Sequence, residues 1–331
     1  MIIVTGAAGF IGSHVCIKLL DAGHEIIGID NINSYYNPEL KLNRLNWIKK
    51  NDQQNKFHFI KANLERNSEI DQIFQENKIS AVINLAAQAG VRHSLIKPKD
   101  FINSNVLGFY NLIESVKKYN IENFIYASSS SVYGDSEDIC KVENKTESPL
   151  SLYAATKKTN ELISHSYSEM HGIRSIGLRL FSVYGPFGRP DMAYFKFTKA
   201  ILNGEPIRIY NSGKMYRDFT YVDDVVNAIV SAFNASRKGD KIFKNKKSII
   251  YNIGNNKPIL LTKFIDILES FCKRKAIRIE EPLQKGDVIS TFADINSATE
   301  DLGFKPETDI KEGLKKFVIW YKNNRELLDN Y

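Results

Sequence analysis

The chain begins Met1-Ile-Ile-Val-Thr-Gly6-Ala-Ala-Gly9-Phe-Ile-Gly12, and this stretch decides the fold. Its apolar start predicts a buried strand, and the apolar residues within 10–20 recur at helical spacing. The three glycines between them permit a tight turn, a close approach of the backbone to a ligand, and close packing of helix on strand. A helix that starts directly behind such a turn presents its free N–H groups to phosphates.

A carboxylate stands at the end of the second predicted strand, 25–29. This residue, Asp30, follows Gly12 by eighteen residues, where a dinucleotide site places an acceptor for the ribose hydroxyls. A carboxylate there also repels the 2′-phosphate of NADP, and its neighbours Asn31 and Asn33 are neutral. The pattern therefore predicts an NAD site rather than an NADP site. The predicted contacts from this region are Gly6, Gly9, Phe10, Ile11, Gly12, Asp30, Asn31 and Asn33.

The rest of the first half alternates β-rich runs with helical patterns. Strands are predicted at 57–60, 81–85, 123–127 and 175–180, and helices near 66–76, 98–119 and 153–171. Continuous apolar strands separated by helices are typical of a parallel sheet covered on both faces. Helices near 193–203, 222–233, 262–274 and 309–325, with short strands between them, follow in the second half. The pattern predicts an α/β protein: a Rossmann-type doubly wound parallel sheet with a smaller α+β C-terminal domain that caps the substrate cleft.

A tyrosine and a lysine four residues apart open the predicted helix 153–171. The spacing puts Tyr153 and Lys157 on one helix face. The preceding strand ends in the serine run 128–131, at the sheet edge where ligands bind. A tyrosine has a pKa of about 10, and a nearby ammonium and a nicotinium cation would both favour its ionised form. The set predicts proton abstraction from a hydroxyl by Tyr153 as hydride leaves, with a serine sharing the proton.

Composition and charge exclude several classes of protein. The 331 residues are 43% hydrophobic and 25% charged, which is an ordinary globular balance. The net charge of +7 suits an anionic ligand, but the basic residues are scattered, and we expect no nucleic-acid partner. Cys16, Cys140 and Cys272 are too far apart in sequence for a metal or redox pair, so we expect reduced thiols in the cytoplasm and no metal. With no leader pattern and no long apolar run, we expect neither export nor a membrane partner.

Longer segments resemble the extended short-chain dehydrogenase/reductase family, in its branch of NAD-dependent epimerases and dehydratases of nucleotide sugars. Within that branch they are most similar to UDP-glucuronate 4-epimerases, and the resemblance runs from Met1 to about Glu312. The segments that carry it are Asp30-Asn-Ile-Asn-Ser-Tyr-Tyr36, Asn84-Leu-Ala-Ala-Gln-Ala-Gly-Val-Arg92, Ser151-Leu-Tyr-Ala-Ala-Thr-Lys-Lys158, Tyr184-Gly-Pro-Phe-Gly-Arg-Pro-Asp-Met-Ala-Tyr194 and Arg217-Asp-Phe-Thr-Tyr-Val-Asp-Asp224.

The resemblance implies roles for individual residues. Ser129 would be the catalytic hydroxyl, Tyr153 the base and Lys157 its partner. Further cofactor contacts would be Asn63, Leu64, Leu85, Ala86, Ala87, Asn105, Ser128, Tyr153 and Lys157. Contacts to a UDP-sugar would be Ser129, Ser130, Ser131, Ser182, Arg189, Tyr210, Arg217 and Asp287.

Some of these positions carry more specific expectations from the same resemblance. Arg217 would hold the diphosphate, Tyr210 would flank uracil, and Asp287 would meet the uridine ribose. Asn63 stands where relatives commonly have aspartate, and Ser182 where they often have threonine, and both keep a polar group. Residues 1–182 would bind NAD, with a return of the chain at about 218–256, and 183–331 would mainly bind the UDP-sugar. A homodimer is expected through the helices near 98–119 and 153–171.

The reaction is expected to be a 4-epimerisation through a 4-keto sugar. Dehydratases of the family place an Asp-Glu pair where this chain has Ser130 and Ser131, which cannot do that acid–base work. Four serine hydroxyls (129, 130, 131 and 182) and the Arg189 cation would suit a C6 carboxylate, so the substrates are expected to be UDP-glucuronate and UDP-galacturonate. Arg189 could instead grip a phosphate. The alternatives are a UDP-glucose or UDP-N-acetylglucosamine 4-epimerase, a UDP-glucuronate decarboxylase, and an NAD-sensing protein without activity.

Overall fold

The computed structural model describes residues 1–135, 139–239, 242–244, 246–284 and 288–328. Its strands are β1 Ile2–Thr5, β2 Ile26–Asp30, β3 Phe57–Lys61, β4 Ala81–Asn84, β5 Asn123–Ser129, β6 Arg174–Leu180, β7 Ser182–Tyr184, β8 Pro206–Tyr210, β9 Tyr216–Arg217, β10 Phe219–Tyr221, β11 Ser248–Ile253, β12 Ile259–Leu260 and β13 Ile277–Glu281. Its α-helices are α1 Phe10–Asp21, α2 Pro38–Asn51, α3 Asn67–Glu76, α4 His93–Ile96, α5 Pro98–Phe101, α6 Gly108–Lys118, α7 Leu152–His171, α8 Ala193–Asn203, α9 Val222–Arg237, α10 Leu261–Cys272, α11 Asn296–Leu302, α12 Ile310–Asn323 and α13 Arg325–Leu328.

The central sheet is parallel throughout. Among the described residues, seven strands pair in the order β11-β6-β5-β4-β1-β2-β3. The chain therefore runs outward from β1 in one direction through β2 and β3, and in the other from β4 to β11. The strand order reverses between β1 and β4, and in doubly wound sheets the ligand crevice lies at that point, beyond the carboxyl ends of the strands. The predicted Rossmann-type sheet is confirmed.

Two hydrophobic cores lie on opposite faces of this sheet, because alternate side chains of a strand point in opposite directions. Ile2 and Val4 of β1 belong to one core, with buried side chains of α1 and α9. Ile3 belongs to the other core, with α3 and α6. The first core continues through Phe264 and Phe317 into the C-terminal elements, so the cap packs directly on the sheet domain.

In the described residues, the cap contains helices and three short two-stranded sheets. The strand pairs are β7–β10 and β8–β13, which are parallel, and β9–β12, which is antiparallel. This is the predicted α+β element of the fold. In the described part of the chain, none of the helices is both long enough and apolar enough to cross a bilayer.

The segment near 98–119 is helical, as predicted, but it contains a π-helical turn that the sequence pattern did not reveal. It consists of α5, a π-helical turn at Ile102–Leu107, and α6. Within the turn, the Asn160 side chain donates a hydrogen bond of 2.6 Å to the backbone oxygen of Asn105. The Asn105 amide in turn accepts from the backbone N–H of Gln88 (2.7 Å) and donates to its carbonyl (3.0 Å). The wide turn therefore ties α7 to the loop after β4, as π-bulges often do beside functional sites.

Candidate active site

A cleft of about 460 Å³ lies at the carboxyl ends of β1, β2, β4 and β5. Its wall includes most of the residues that the sequence predicts as site residues. These are Gly6, Gly9, Phe10, Ile11, Gly12, Asp30, Asn31, Asn33, Asn63, Leu64, Leu85, Ala86, Ala87, Ser128, Ser129, Ser130, Ser131, Tyr153, Ser182, Arg189 and Arg217. Residues contributed by both halves of the chain therefore share one cleft.

The glycine turn forms a cradle that side chains would fill. A Cβ atom on Gly12 would lie 2.0 Å from the backbone oxygen of Gly6, and one on Gly9 would lie 2.8 Å from the same oxygen. Gly6 has a φ of +69°, a backbone conformation that side chains disfavour. Among the described residues no side chain caps the N-terminus of α1, whose first-turn amides are therefore available to an anion. The turn fits the diphosphate of a dinucleotide.

The ribose end of the cleft carries an acid and a base. Asp30 is 9% exposed, and its Oδ1 accepts a 2.8 Å hydrogen bond from the backbone N–H of Ile32. The Nζ of Lys41 lies 4.0 Å from the same oxygen and donates a 2.7 Å hydrogen bond to Oδ1 of Asn33. Lys41 comes from α2, which the sequence did not predict, and it also lines the cleft.

Ser129 and Tyr153, which the sequence predicts to be catalytic, both line the cleft where β5 ends and α7 begins. Oγ of Ser129 accepts hydrogen bonds from the backbone N–H (3.2 Å) and the hydroxyl (2.9 Å) of Ser131. Tyr153 lies in the first turn of α7, which Ser151 caps by accepting from the N–H of Ala154 at 3.1 Å. These local bonds fix both hydroxyls on the wall of the cleft.

Lys157 lies behind that wall rather than on it. Its side chain is buried, and Nζ donates a 2.9 Å hydrogen bond to the backbone oxygen of Ala127 in β5. Burial lowers the pKa of Lys157 to about 8. The cost of burying the ammonium is therefore met in part by its hydrogen bond to Ala127.

The positive charge of Arg189 acts on the pKa of Tyr153, which the sequence did not predict. Burial raises the pKa of Tyr153, whereas its hydrogen bond with Ser129 and the positive charge of Arg189 lower it. The sequence named Lys157 as the cation that favours tyrosinate, and the structure adds Arg189 as a second positive charge near the phenol. No spacing rule could identify this, because Arg189 comes from a loop thirty-six residues further along the chain.

A buried polar network supports the end of β5. The hydroxyl of Ser128 donates a 2.7 Å hydrogen bond to Glu161, which also accepts from Arg179 at 2.8 and 2.9 Å. Arg179 in turn donates to the hydroxyl of Tyr133 at 2.9 Å. The Ser128 proton is therefore engaged within the protein, although the residue lines the cleft as predicted.

Four serines that are predicted to contact the sugar line the cleft, and we call them the hydroxyl cluster: Ser129, Ser130, Ser131 and Ser182. Arg189 lies on the same wall, but its guanidinium donates two hydrogen bonds to the carboxylate of Asp191, at 2.9 and 2.5 Å. The hydroxyl of Tyr35 donates a third hydrogen bond to Asp191 at 3.1 Å. Asp191 and Tyr35 were not predicted, because their partnership depends on how the loop folds.

Of the remaining predicted residues, Arg217 lines the cleft, whereas Tyr210 and Asn105 do not. Arg217 lines the cleft, and its Nη1 donates to the backbone oxygens of Tyr216 (2.9 Å) and Ile289 (3.1 Å). Tyr210 is not among the residues that line the cleft in the described chain, and the guanidinium of Arg92 lies 4.6 Å from its ring centroid. Asn105 also lies behind the wall, bonded to Gln88. Asp287 lies outside the described residues.

A second arginine, Arg44, is buried beneath the cleft and links the glycine turn to the loop that carries Arg189. Arg44 of α2 is 0% exposed and donates to the backbone oxygen of Ala8 at 3.2 Å. It also donates to the backbone oxygens of Phe187 (2.9 and 2.7 Å) and Gly188 (3.1 Å). Among the described residues it forms no ion pair with a carboxylate. One buried guanidinium thus joins the glycine turn to the loop that carries Arg189.

Comparisons with known proteins agree with this geometry. The model of the NAD dependent epimerase/dehydratase family matches residues 2–254. Protein CapI of Staphylococcus aureus is 46% identical over 330 residues, which cover 97% of this chain and 98% of that protein. UDP-glucuronate 4-epimerase 1 of Arabidopsis thaliana is 43% identical over 331 residues, which cover 97% of this chain and 76% of the plant protein.

Solved structures show the same likeness. The crystal structure of UDP-glucuronic acid 4-epimerase from Bacillus cereus, in complex with UDP-glucuronic acid and NAD, matches with a TM-score of 0.89 at 31% identity. The match covers 97% of this chain and 99% of that one. The chain therefore belongs to the NAD-dependent epimerase/dehydratase family.

Proposed function

We propose that the protein is an NAD-dependent 4-epimerase that interconverts UDP-glucuronate and UDP-galacturonate. The observation that carries this proposal is the cluster of four serine hydroxyls, with Arg189, on the wall that also holds Tyr153. The names of the plant relative and the bacterial structure point to the same sugar. The serines at 130 and 131 argue against dehydration, because neither can serve as a carboxylic acid.

The proposed chemistry is a proton transfer at the C4 hydroxyl of the sugar. Tyr153 takes this proton, and Ser129, which lines the same cleft, shares it. Lys157 lies behind the wall of the cleft and fixes the end of β5 by its hydrogen bond to the backbone oxygen of Ala127. NAD held at the glycine turn by Gly6, Gly9 and Gly12 would supply the hydride chemistry at C4 of the sugar, and a 4-epimerisation requires the hydride to return to the opposite face. Tyr153 then gives the proton back, so the protein ends each turnover unchanged.

The hydroxyl cluster has a second proposed task. A 4-keto uronic acid is a β-keto acid and loses CO2 readily. Hydroxyl donors that hold the carboxylate in a polar setting keep its charge localised and oppose this loss. The proposed product is therefore an epimer that keeps its carboxylate, rather than a UDP-pentose.

One observation favours a second candidate, a UDP-glucose 4-epimerase. Two of the guanidinium hydrogens of Arg189 are already bonded to Asp191, so the positive charge is largely compensated. An arginine whose charge is balanced by a carboxylate can face the neutral C6 hydroxyl of UDP-glucose. The two candidates differ in what the loss of Arg189 does to each substrate.

The test compares UDP-glucuronate and UDP-glucose as substrates of the wild-type enzyme and of Arg189→Ala. We expect the wild type to convert UDP-glucuronate to UDP-galacturonate. Arg189→Ala should lower kcat/KM for the uronate by about one to two powers of ten, because a charge-assisted hydrogen bond is worth roughly 1.5–3 kcal/mol. UDP-glucose should suffer much less. Product analysis by chromatography and NMR gives both rates and the identity of each product.

The outcomes of this comparison separate the candidates. An equal loss on both substrates would assign Arg189 to the diphosphate. Wild-type activity on UDP-glucose without activity on UDP-glucuronate would refute the uronate proposal. A UDP-pentose made by the variant would support the view that holding the carboxylate prevents its loss. Arg208→Ala is a matched control, because its side chain is 67% exposed on β8.

We also propose a homodimer through α6, α7 and the π-helical turn before them. Large apolar side chains on these helices are exposed in the single chain. These are Ile102, Leu107, Tyr110, Leu162 and Met170. Such side chains along neighbouring helices suit a helix-bundle interface.

Leu162→Glu is expected to convert the dimer to a monomer, because it places a charge in the proposed apolar interface. Light scattering coupled to size-exclusion chromatography measures the mass directly. Ile319→Glu on α12 is the control, since Ile319 is 49% exposed but lies on the cap, and its mass should not change. A wild-type monomer, or a Leu162→Glu dimer as stable as the wild type, would contradict the proposal.

We propose that the two ligands are bound by different regions of the chain. Residues 1–182, with a return at about 218–256, would bind NAD, and 183–331 would mainly bind the UDP-sugar. The return is supported by β11, which belongs to the central sheet, and by α9, which packs against α1.

The three cysteines are buried free thiols, which agrees with the reducing cytoplasm as the proposed location.

A further inference from the structure

Lys41 is a buried cation at the ribose end of the cleft. It is 5% exposed, yet it lines the cleft and lies 4.0 Å from Oδ1 of Asp30, beyond hydrogen-bond distance. Its recorded hydrogen bond goes to the neutral side chain of Asn33 at 2.7 Å. Its Nζ also lies 5.2 Å from the ring centroid of Tyr36. The ammonium has three donors, and among the residues that the structure describes it has one hydrogen-bond acceptor, Asn33.

Asp30 is the anion that compensates this charge. A buried ammonium is costly unless a negative charge lies near it. Burial and the neighbouring positive charge of Arg44 lower the pKa of Lys41, whereas Asp30 raises it. Removal of the Asp30 charge would leave Lys41 as an uncompensated cation at the place where a dinucleotide presents the 2′-position of its adenosine ribose.

We propose that Lys41 is a latent ligand for a 2′-phosphate, and that the Asp30–Lys41 pair, rather than Asp30 alone, sets the choice of NAD over NADP. In the wild type the carboxylate accepts from the ribose hydroxyl, repels a phosphate and engages the lysine charge. Without the carboxylate, the same lysine attracts the phosphate. This inference concerns the dinucleotide alone and does not depend on which sugar the enzyme converts.

The test measures the binding of NAD and NADP to the purified protein by calorimetry, without any sugar nucleotide. Asp30→Ser should weaken NAD binding and tighten NADP binding by about tenfold or more, since a charge-assisted contact to phosphate replaces a repulsion. Asp30→Ser combined with Lys41→Met should lose that gain for NADP. Asp30→Ser combined with Lys50→Met should keep it, because Lys50 is an exposed lysine of the same helix.

Two results would overturn the proposal. One is an Asp30→Ser protein whose NADP affinity stays at the wild-type level. The other is a Lys41→Met double variant that binds NADP as tightly as Asp30→Ser alone. If Asp30→Ser lacks a cooperative thermal transition, Asp30→Asn takes its place with the same criteria, because its amide oxygen can still accept from the N–H of Ile32.

Discussion

Tyr153→Phe is expected to lower kcat by about three powers of ten while the protein still folds and binds UDP-sugar. The change removes one hydroxyl, and positioned acid–base groups contribute about 10²- to 10⁴-fold. The ring keeps its edge contact with Phe101, with centroids 6.1 Å apart, so packing is retained. Steady-state kinetics give kcat, and calorimetry with UDP gives the affinity.

Two further variants make this result specific. Ser129→Ala should lose less, about one power of ten, because Tyr153 can still accept the proton alone. Tyr167→Phe on the same helix is the control, since its hydroxyl contacts Glu114 far from the cleft, and kcat should be unchanged. A Tyr153→Phe enzyme that turns over at the wild-type rate would show that another group is the base.

Gly12→Ala is expected to lower both the stability of the protein and its affinity for NAD. Its new Cβ atom would lie 2.0 Å from the backbone oxygen of Gly6 and 3.2 Å from Cα of Ala7, so the turn itself must shift. Forced overpacking of this kind costs about 3 kcal/mol of stability. The displaced amides no longer meet the diphosphate, and NAD binding should weaken by about two powers of ten. Thermal unfolding and calorimetry measure the two effects separately.

A glycine elsewhere provides the comparison. Gly172 ends α7 with a φ of +70°, and no atom lies within 4 Å of a Cβ built there. Gly172→Ala should therefore cost only the strain of a left-handed residue, about 1 kcal/mol, with unchanged NAD binding. Equal losses of NAD affinity in the two variants would mean that the glycine turn does not hold the cofactor.

The sheet and the glycine turn could be predicted because their signals are local. The strands are continuous apolar runs, and the six predicted strands of the first half lie within two residues of the observed bounds at each end. The glycine spacing and Asp30 are fixed by backbone geometry, so their positions in sequence are enough to name them. The serine run and the Tyr153–Lys157 spacing were similarly readable from the sequence.

Charged side chains that the fold buries could not be predicted. Lys41 and Arg44 belong to α2, where a lysine-rich stretch normally indicates an exposed surface. Both are buried, and one of them lines the cleft. The pairing of Arg189 with Asp191 also depends on loop geometry that no periodicity encodes. The structure therefore adds to the site the charge partners that depend on loop geometry and on burial.

The buried guanidinium of Arg44 has a thermodynamic consequence. It holds Ala8, in the phosphate turn, and Phe187, in the loop of Arg189, with separate nitrogens of one rigid plane. Arginine suits this position because its planar fork presents separate donors to the two segments, whereas a lysine has all its donors on one nitrogen. A ligand that moves either segment works against the other through the same side chain. Linkage then requires reciprocity: whatever free energy the dinucleotide adds to sugar binding, the sugar adds to dinucleotide binding.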